Sequence, residues 1–216
     1  ACLGLRVNLA EWTALCRVAD VNVSPGLRNE VVEQRFVTEL SEESGQVSWH
    51  FAHGMIREAL LRHARRMGRF ERHNTHAVNM LRVADAPPSR IGKHLLAATQ
   101  WNAALGPLER AVREAMVAGD HRAAQSALID WTDALRLLNF PDNRRDWLKI
   151  ALADAHIRFI QGDLSEALDV TIKTIQKARE RPYRRILCES FLLNGAIFVK
   201  LAQFENALGA LSQISS

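Results

Sequence analysis

Residues 49–66 hold the densest group of side chains that could do chemistry in this chain. The stretch reads WHFAHGMIREALLRHARR and contains three histidines and four arginines. Imidazole nitrogens are common zinc ligands, and guanidinium groups bind phosphates and carboxylates through paired hydrogen bonds. The stretch therefore raises two chemical hypotheses, a metal site and an anion-binding site.

A metal site would require His50, His53 and His63 to converge on one point. Apolar and polar residues alternate over 47–52, which predicts a strand with His50 on its polar face and His53 on its apolar face. His63 falls within the apolar stripe of the helix that follows. We therefore expect core or boundary histidines and no metal site. His73 and His76 lie one helical turn apart, a spacing at which two side chains can share a ligand. We nevertheless expect no metal site there.

The arginines form one side of a single helix that we predict to start at Gly54. At 100° per residue, the apolar side holds Ile56, Ala59, Leu60, His63, Ala64, Met67 and Phe70. The basic face opposite holds Arg62, Arg65, Arg66, Arg69 and Arg72. This face fits a solvent-exposed surface, a dock for an acidic domain, or a nucleic-acid contact. No aromatic residue alternates with the arginines to stack on bases, which disfavours nucleic acid.

The sequence RIGKHLL resembles the end of a phosphate-binding loop but departs from that motif. Pro87 stands where the first glycine belongs, and His94 replaces the hydroxyl residue that would hold magnesium. Lys93 is therefore interpreted as a helix-surface lysine. The chain also lacks the G-x-S-x-G, H-E-x-x-H and kinase signatures. We expect no catalysis and no bound cofactor in this segment.

The composition is that of a soluble globular protein. Of 216 residues, 48% are hydrophobic and 24% charged, and the net charge of +4 permits an acidic partner. No apolar run is long enough to cross a membrane, and three scattered cysteines suit the cytoplasm. The chain starts without methionine and stops soon after a helix begins. It therefore reads as a fragment of a longer protein.

The pattern of helices divides the chain into three parts. A helix is predicted over 9–19, and a second runs to Leu40, with Ser24 as its cap and Pro25 in its first turn. With the strand over 47–52, these helices predict a small winged-helix-like unit over 1–53. A connecting helical segment follows over 54–86. Helical repeats that form a solenoid are then expected over 87–216.

Short breaks at similar spacing indicate stacked helical hairpins after Gly54. The predicted breaks are DAPPS (85–89), AGD (118–120), PDN (141–143), QGD (161–163), RP (181–182) and LAQ (201–203). An alanine follows three of them, at Ala124, Ala167 and Ala207. Small residues at these positions let two helices cross closely, and stacked copies would bury one continuous core. The fold class is therefore mainly α.

The last two copies resemble tetratricopeptide repeats. GDLSEAL follows Ala155, and NGAIFVKLAQFENAL contains Gly195 and Ala207, so small residues stand at the expected crossing positions. The period is about forty residues instead of thirty-four. The resemblance implies a partner-binding groove lined by the first helix of each hairpin. In this register the groove residues are Lys149, Leu152, His156 and Phe159, then Leu192, Ala196, Val199 and Lys200.

A second resemblance covers the middle of the chain. FAHGMIREALLRHARRMGRFERHNTHAVNML is similar to the segment after the ATPase core in bacterial signalling ATPases of the STAND class. These include LuxR-type regulators and ATPase modules attached to serine/threonine kinases. The matching residues are Phe51, His53, Ile56, Arg57, Glu58, Ala59 and Leu60, then Arg66, Arg69 and His73. In the helices that follow, His94 and Ala98 match, whereas Thr99 and Gln100 replace the usual glycine and aspartate.

Together the two resemblances imply a regulatory segment that joins a nucleotide-switched core to a sensing arm. Its partner would be a protein, a peptide or a neighbouring domain, and ATP and magnesium would belong to an upstream domain. The alternative is a fragment of a DNA-binding winged-helix regulator. For that role, Arg28, Asn29, Gln34 and Arg35 are suitable, whereas Glu30, Glu33 and Glu39 repel phosphates.

Overall fold

The computed structural model describes residues 1–24, 26–41, 46–141, 144–181 and 183–214 of the chain. These residues form a mainly helical protein with one small sheet. In chain order the elements are β1 (Arg6–Asn8), α1 (Leu9–Val18), α2 (Leu27–Glu33), β2 (Val37–Ser41), β3 (Val47–Phe51), α3 (Gly54–Arg66), α4 (Phe70–Val83), α5 (Pro88–Ala97), α6 (Trp101–Val117), α7 (His121–Leu137), α8 (Arg145–Gln161), α9 (Leu164–Arg179), α10 (Arg184–Lys200) and α11 (Phe204–Ser212).

The chain divides into two compact units, residues 1–100 and 101–216. The first unit contains an antiparallel sheet with strand order β1-β3-β2. Trp49 on β3 lies opposite Val7 on one side and Glu39 on the other. Val7, Val37 and Trp49 are buried together, and the Trp12 ring of α1 lies 4.9 Å from that of Trp49. The sheet and α1 therefore share one small core.

The second unit consists of three helical hairpins, α6/α7, α8/α9 and α10/α11. Each pair packs together, and α8 also contacts α7 and α10. The alanines predicted at helix crossings, Ala124, Ala167 and Ala207, are all buried. Gly195 of α10 faces α11, where a Cβ atom would lie 3.1 Å from the Leu211 side chain. Small residues therefore permit the close approach of helices in this unit.

The structure corrects the predicted helix that was to reach Leu40. Helix α2 ends at Glu33, and Arg35 reverses the chain with a φ of 56°. Residues after it pair with β3 as strand β2, and β1 is a further strand that the sequence pattern did not indicate. The helix begins after Gly26 with no side-chain cap, so Ser24 does not cap it. Pro25 lies outside the described residues.

The single helix predicted from Gly54 through Arg72 is also wrong. Helix α3 ends at Arg66, and Gly68 adopts a φ of 61°, so α4 starts in a new direction at Phe70. The predicted apolar side of α3 is not the buried one. Leu61 is the buried residue of this helix, whereas Leu60 and Met67 are half exposed. A turn that contains only one glycine was too weak a signal to interrupt the helical periodicity.

Candidate functional site

A groove in the second unit lies on the first helices of the three hairpins. Its volume is about 500 Å³, and its lining comes mostly from α6, α8 and α10. The lining residues are Glu109, Val112, Arg113, Met116, Val117, Trp131, Arg145, Lys149, Leu152, Ala153, His156, Arg185, Ile186 and Glu189. On α8 these residues recur at intervals of three or four, which places them on one face of the helix.

The floor of the groove is apolar and well packed. Val112, Leu152 and Ile186 are each at most 5% exposed, and they come from α6, α8 and α10 respectively. Trp131 of α7 is also buried, and its indole nitrogen has no hydrogen-bond acceptor among the described residues. Because the floor is built from three hairpins, its shape depends on how those hairpins stack.

The rim of the groove carries more positive than negative charge. Four cationic side chains, Arg113, Arg145, Lys149 and Arg185, stand against two carboxylates, Glu109 and Glu189. Lys149 donates to both carboxylate oxygens of Glu109 at 2.8 Å, which ties α8 to α6. Arg185 pairs with Glu189 at 2.7 Å on α10. Among the described residues Arg113 and Arg145 have no ion-pair partner, so their charge remains available to a ligand.

His156 adds a neutral polar group to this surface. Burial lowers the pKa of its imidazole, and the Glu189 carboxylate raises that pKa in part. At neutral pH the ring is therefore uncharged and offers one hydrogen-bond donor and one acceptor. It suits contact with a peptide backbone or a polar side chain.

The residues predicted for a partner-binding groove are divided by the structure. Lys149, Leu152 and His156 line the groove described above. Phe159 lies outside that lining and packs against the core of α8, α9 and α10. The remaining four lie along α10. Of these, Leu192 and Val199 are exposed, Ala196 is half-buried, and the Lys200 ammonium lies 5.0 Å from the Phe159 ring.

The contribution of α6 to the groove was missed at the level of sequence. Glu109, Val112, Arg113 and Met116 follow the same three-and-four spacing in PLERAVREAMV. That spacing was a usable signal. The first hairpin matches the repeat pattern poorly, so that pattern gives no register for α6.

The predicted basic face is split by the turn at Gly68. Arg62, Arg65 and Arg66 lie on α3, Arg69 is the residue before α4, and Arg72 lies on α4. All five are exposed. The Arg65 guanidinium lies 4.2 Å from the centre of the Phe70 ring, which braces the turn.

The histidines of the first unit are dispersed over several elements. His50 lies on β3, His53 precedes α3, and His63 lies on α3. All three are exposed, so the expectation of core or boundary positions is wrong for them. His73 and His76 are half-buried on α4. Within the described parts of the chain, no three histidine, cysteine or acidic side chains are grouped to hold a metal ion.

A polar cluster joins α1, α4 and α5 within the first unit. Arg90 forms two hydrogen bonds to the Glu11 carboxylate at 2.7 and 2.9 Å. One turn later, the Nδ1 atom of buried His94 lies 2.8 Å from the Asn74 side-chain oxygen. Lys93, which lies between Arg90 and His94 in sequence, is an exposed residue of helix α5 and not part of a phosphate-binding loop. The cluster is therefore a structural joint.

Helix α2 would be the recognition helix of a DNA-binding winged-helix unit, but the charge of its arginine is paired with a carboxylate. Arg28 makes two hydrogen bonds with Glu39 of β2, at 2.7 and 3.2 Å. Glu39 has a pKa below its usual value because of this contact with Arg28. An arginine held by a carboxylate is less available to a phosphate.

Comparison with models of known protein families gives no match, and comparison with curated protein sequences gives none either. In the described part of the chain, no helix combines the length and the hydrophobicity that crossing a bilayer would require.

Proposed function

We propose that this chain is a non-catalytic, protein-binding regulatory segment of a larger cytoplasmic signalling protein. In this proposal the second unit is a tetratricopeptide-like arm, and its partner is a peptide or protein segment with acidic and apolar residues. The parent would be a signal-transduction ATPase or kinase that holds ATP and magnesium in another domain. The observation that carries the proposal is the groove on α6, α8 and α10.

The groove has the chemistry expected of a peptide-binding surface. Its buried floor of Val112, Leu152 and Ile186 can receive apolar side chains. Arg113 and Arg145 on the rim can pair with carboxylates, which supports a partner with acidic residues. Helical-repeat proteins bind their partners along surfaces of this kind, formed by one helix from each hairpin.

The proposal is tested by selection from a random peptide library displayed on phage, with the full chain immobilised. We expect selected peptides to be rich in aspartate or glutamate together with leucine or phenylalanine. The same selection on an Arg113→Gln/Arg145→Gln variant should enrich acidic peptides less strongly. Enrichment of basic peptides, or no enrichment, would contradict the proposal. Nucleotide hydrolysis by the purified chain would contradict its non-catalytic part.

The alternative function is DNA binding by the first unit. One observation favours it: two helices lie between β1 and β2, and the sheet order β1-β3-β2 is that of a winged helix. The charges of α2 disfavour it, because Glu39 holds Arg28 and because Glu30 and Glu33 lie on the same short helix. A gel-shift titration with duplex DNA at moderate salt discriminates the two. Tight, salt-sensitive binding would favour the DNA-binding alternative.

A further inference from the structure

We propose that the outer surface of α3 docks an acidic protein surface with an apolar centre. This surface lies in the first unit, and the inference is independent of the groove in the second. Its residues form two adjacent stripes along α3 and the residue that follows its end, Met67. The first stripe holds Met55, Ala59, Arg62 and Arg66, and the second holds Ile56, Leu60, His63 and Met67. We call this surface the α3 face.

The α3 face exposes apolar area that a core-facing helix would bury. Met55 is 79% exposed, Leu60 48% and Met67 51%. Leu60 and Met67 lie on the same stripe, which the sequence pattern had predicted to be buried. Leu61 is the buried residue of the helix. Exposed apolar side chains that lie together, as Leu60 and Met67 do on one stripe, mark interaction sites, whereas scattered ones need no explanation.

Unpaired arginines border the apolar residues. Arg62 and Arg66 lie on α3, and Arg69 and Arg72 follow across the turn. None of the four forms an ion pair within the described ranges of the chain. Residues 54–76 contain six arginines and two glutamates, a net +4 that equals the net charge of the whole chain. The positive charge is therefore concentrated beside the apolar strip, which selects a partner of negative charge.

The composition of the face favours a protein over a lipid surface or a nucleic acid. Residues 1–92 contain no lysine, so every cation here is an arginine. Arginine and methionine are enriched in protein–protein interfaces, where lysine is depleted. The stripes include no tryptophan or phenylalanine to anchor in a bilayer or to stack on bases. A second copy of the same face is disfavoured because like charges would meet.

The test measures binding of a synthetic probe to the full chain by fluorescence anisotropy. The probe is a labelled helical peptide of about five turns, with leucine along one face and glutamate on its flanks. We expect salt-sensitive binding that Arg62→Gln/Arg66→Gln weakens about tenfold. We expect a similar loss from Leu60→Ser/Met67→Ser, because the apolar contact is part of the site. Circular dichroism checks that both variants stay folded.

Matched variants place the probe on the molecule. Because the groove also offers apolar and cationic groups to this probe, the α3-face variants are compared in an Arg113→Gln/Arg145→Gln background, which removes the unpaired cations of the groove. In that background, Arg82→Gln/Arg122→Gln removes two exposed arginines outside both surfaces and should leave probe binding unchanged. Leu137→Ser removes an exposed leucine elsewhere and should also have no effect. Equal binding by this background and by its Arg62→Gln/Arg66→Gln derivative would place the probe outside the α3 face and overturn this inference while leaving the proposed function intact.

Several other results would overturn the inference. The first is that the chain does not bind the probe at about millimolar concentration. The second is that a probe with serine in place of leucine binds as tightly as the original probe. The third is that a probe with lysine in place of glutamate does so. Tighter binding to a duplex of random DNA or to vesicles of phosphatidylcholine and phosphatidylserine would point to another partner class. Self-association in analytical ultracentrifugation that Leu60→Ser/Met67→Ser abolishes would identify a second copy as the partner.

Discussion

Two alanines at the centre of the α8/α9 hairpin set how closely its helices approach. Ala155 and Ala167 are completely buried, in one cluster with Leu193 and Ile197 of α10. No space is left for a larger side chain, because protein interiors are close-packed. Since the groove floor at Leu152 belongs to the same cluster, these alanines also fix the position of the groove.

Enlarging one of these alanines should destabilise the protein. We expect Ala167→Leu to lower the free energy of unfolding by about 1–3 kcal/mol through overpacking. Ala123→Leu is the matched control at an exposed site of α7 and should change stability by less than about 0.5 kcal/mol. Urea denaturation of the two variants makes the comparison, and equal losses would contradict the assignment of Ala167 as a crossing residue.

Two glycines should respond in opposite directions to the same substitution. Gly162 ends α8 with a φ of 92°, a left-handed conformation that a Cβ atom strains. Gly209 is exposed inside α11, where a Cβ atom would meet nothing within 4 Å. We expect Gly162→Ala to lower the unfolding free energy by about 1 kcal/mol. Gly209→Ala should raise it by about 0.5–1 kcal/mol. Shifts of the same sign in thermal melts would contradict these backbone assignments.

At the scale of elements, the contact of α4 with α5 contains a titratable group. Burial lowers the pKa of His94 and so does the charge of Arg90, whereas the charge of Glu11 raises it. As the pH falls below the free imidazole pKa of about 6.5, the unfolded chain takes up the proton first. The stability from neutral, buried His94 is therefore present above that pH and lost as the pH falls toward the folded pKa.

The prediction is a smaller acid sensitivity in a His94→Gln variant. The unfolding free energy of the native sequence should fall between about pH 7 and pH 5, and that fall should be smaller in the variant. Urea midpoints across this range measure the difference. His73 and His156 also have lowered pKa values and leave a residual fall in both proteins. If the unfolding free energies of the native chain and the variant depended on pH in the same way, the predicted contribution of buried, neutral His94 would be contradicted.

The elements differ in how well the sequence predicted them. From Trp101 onward the helices follow from the periodicity and from breaks such as Gly119 and Gly162. The break between α5 and α6 has no glycine or proline and was not among the predicted breaks. Strand β1 has only three residues, too few for an alternating pattern. Strand β2 continues an apolar spacing that also fits a helix, and pairing with β3 decides the outcome. Local patterns therefore sufficed where neighbouring helices repeat, and failed where distant strands must pair.

The candidate site was predicted only in part, for a related reason. Lys149, Leu152 and His156 were expected from the register of the tetratricopeptide resemblance, and all three line the groove. The contribution of α6 depends on the stacking of the hairpins, and the poor match of the first hairpin to the repeat pattern did not reveal it. Exposure of the α3 face was also hidden from sequence, because an apolar stripe ordinarily predicts burial.

At the scale of the whole molecule, each of the two compact units carries one surface suited to a negatively charged partner. The second unit offers the groove, in which an apolar floor lies beneath a rim of net positive charge. The first unit offers the α3 face, where exposed apolar residues border unpaired arginines. Neither surface depends on a reacting group, which is consistent with the proposed role in recognition.

The most direct test of the central proposal is isothermal titration calorimetry with a peptide selected by phage display. We expect micromolar binding to the full chain, and an affinity about tenfold lower for Arg113→Gln/Arg145→Gln. Arg122→Gln, which removes an exposed arginine of α7, is the control and should bind as the native chain does. Equal affinities for the native chain and the groove variant would contradict the proposal that the groove on α6, α8 and α10 binds the partner.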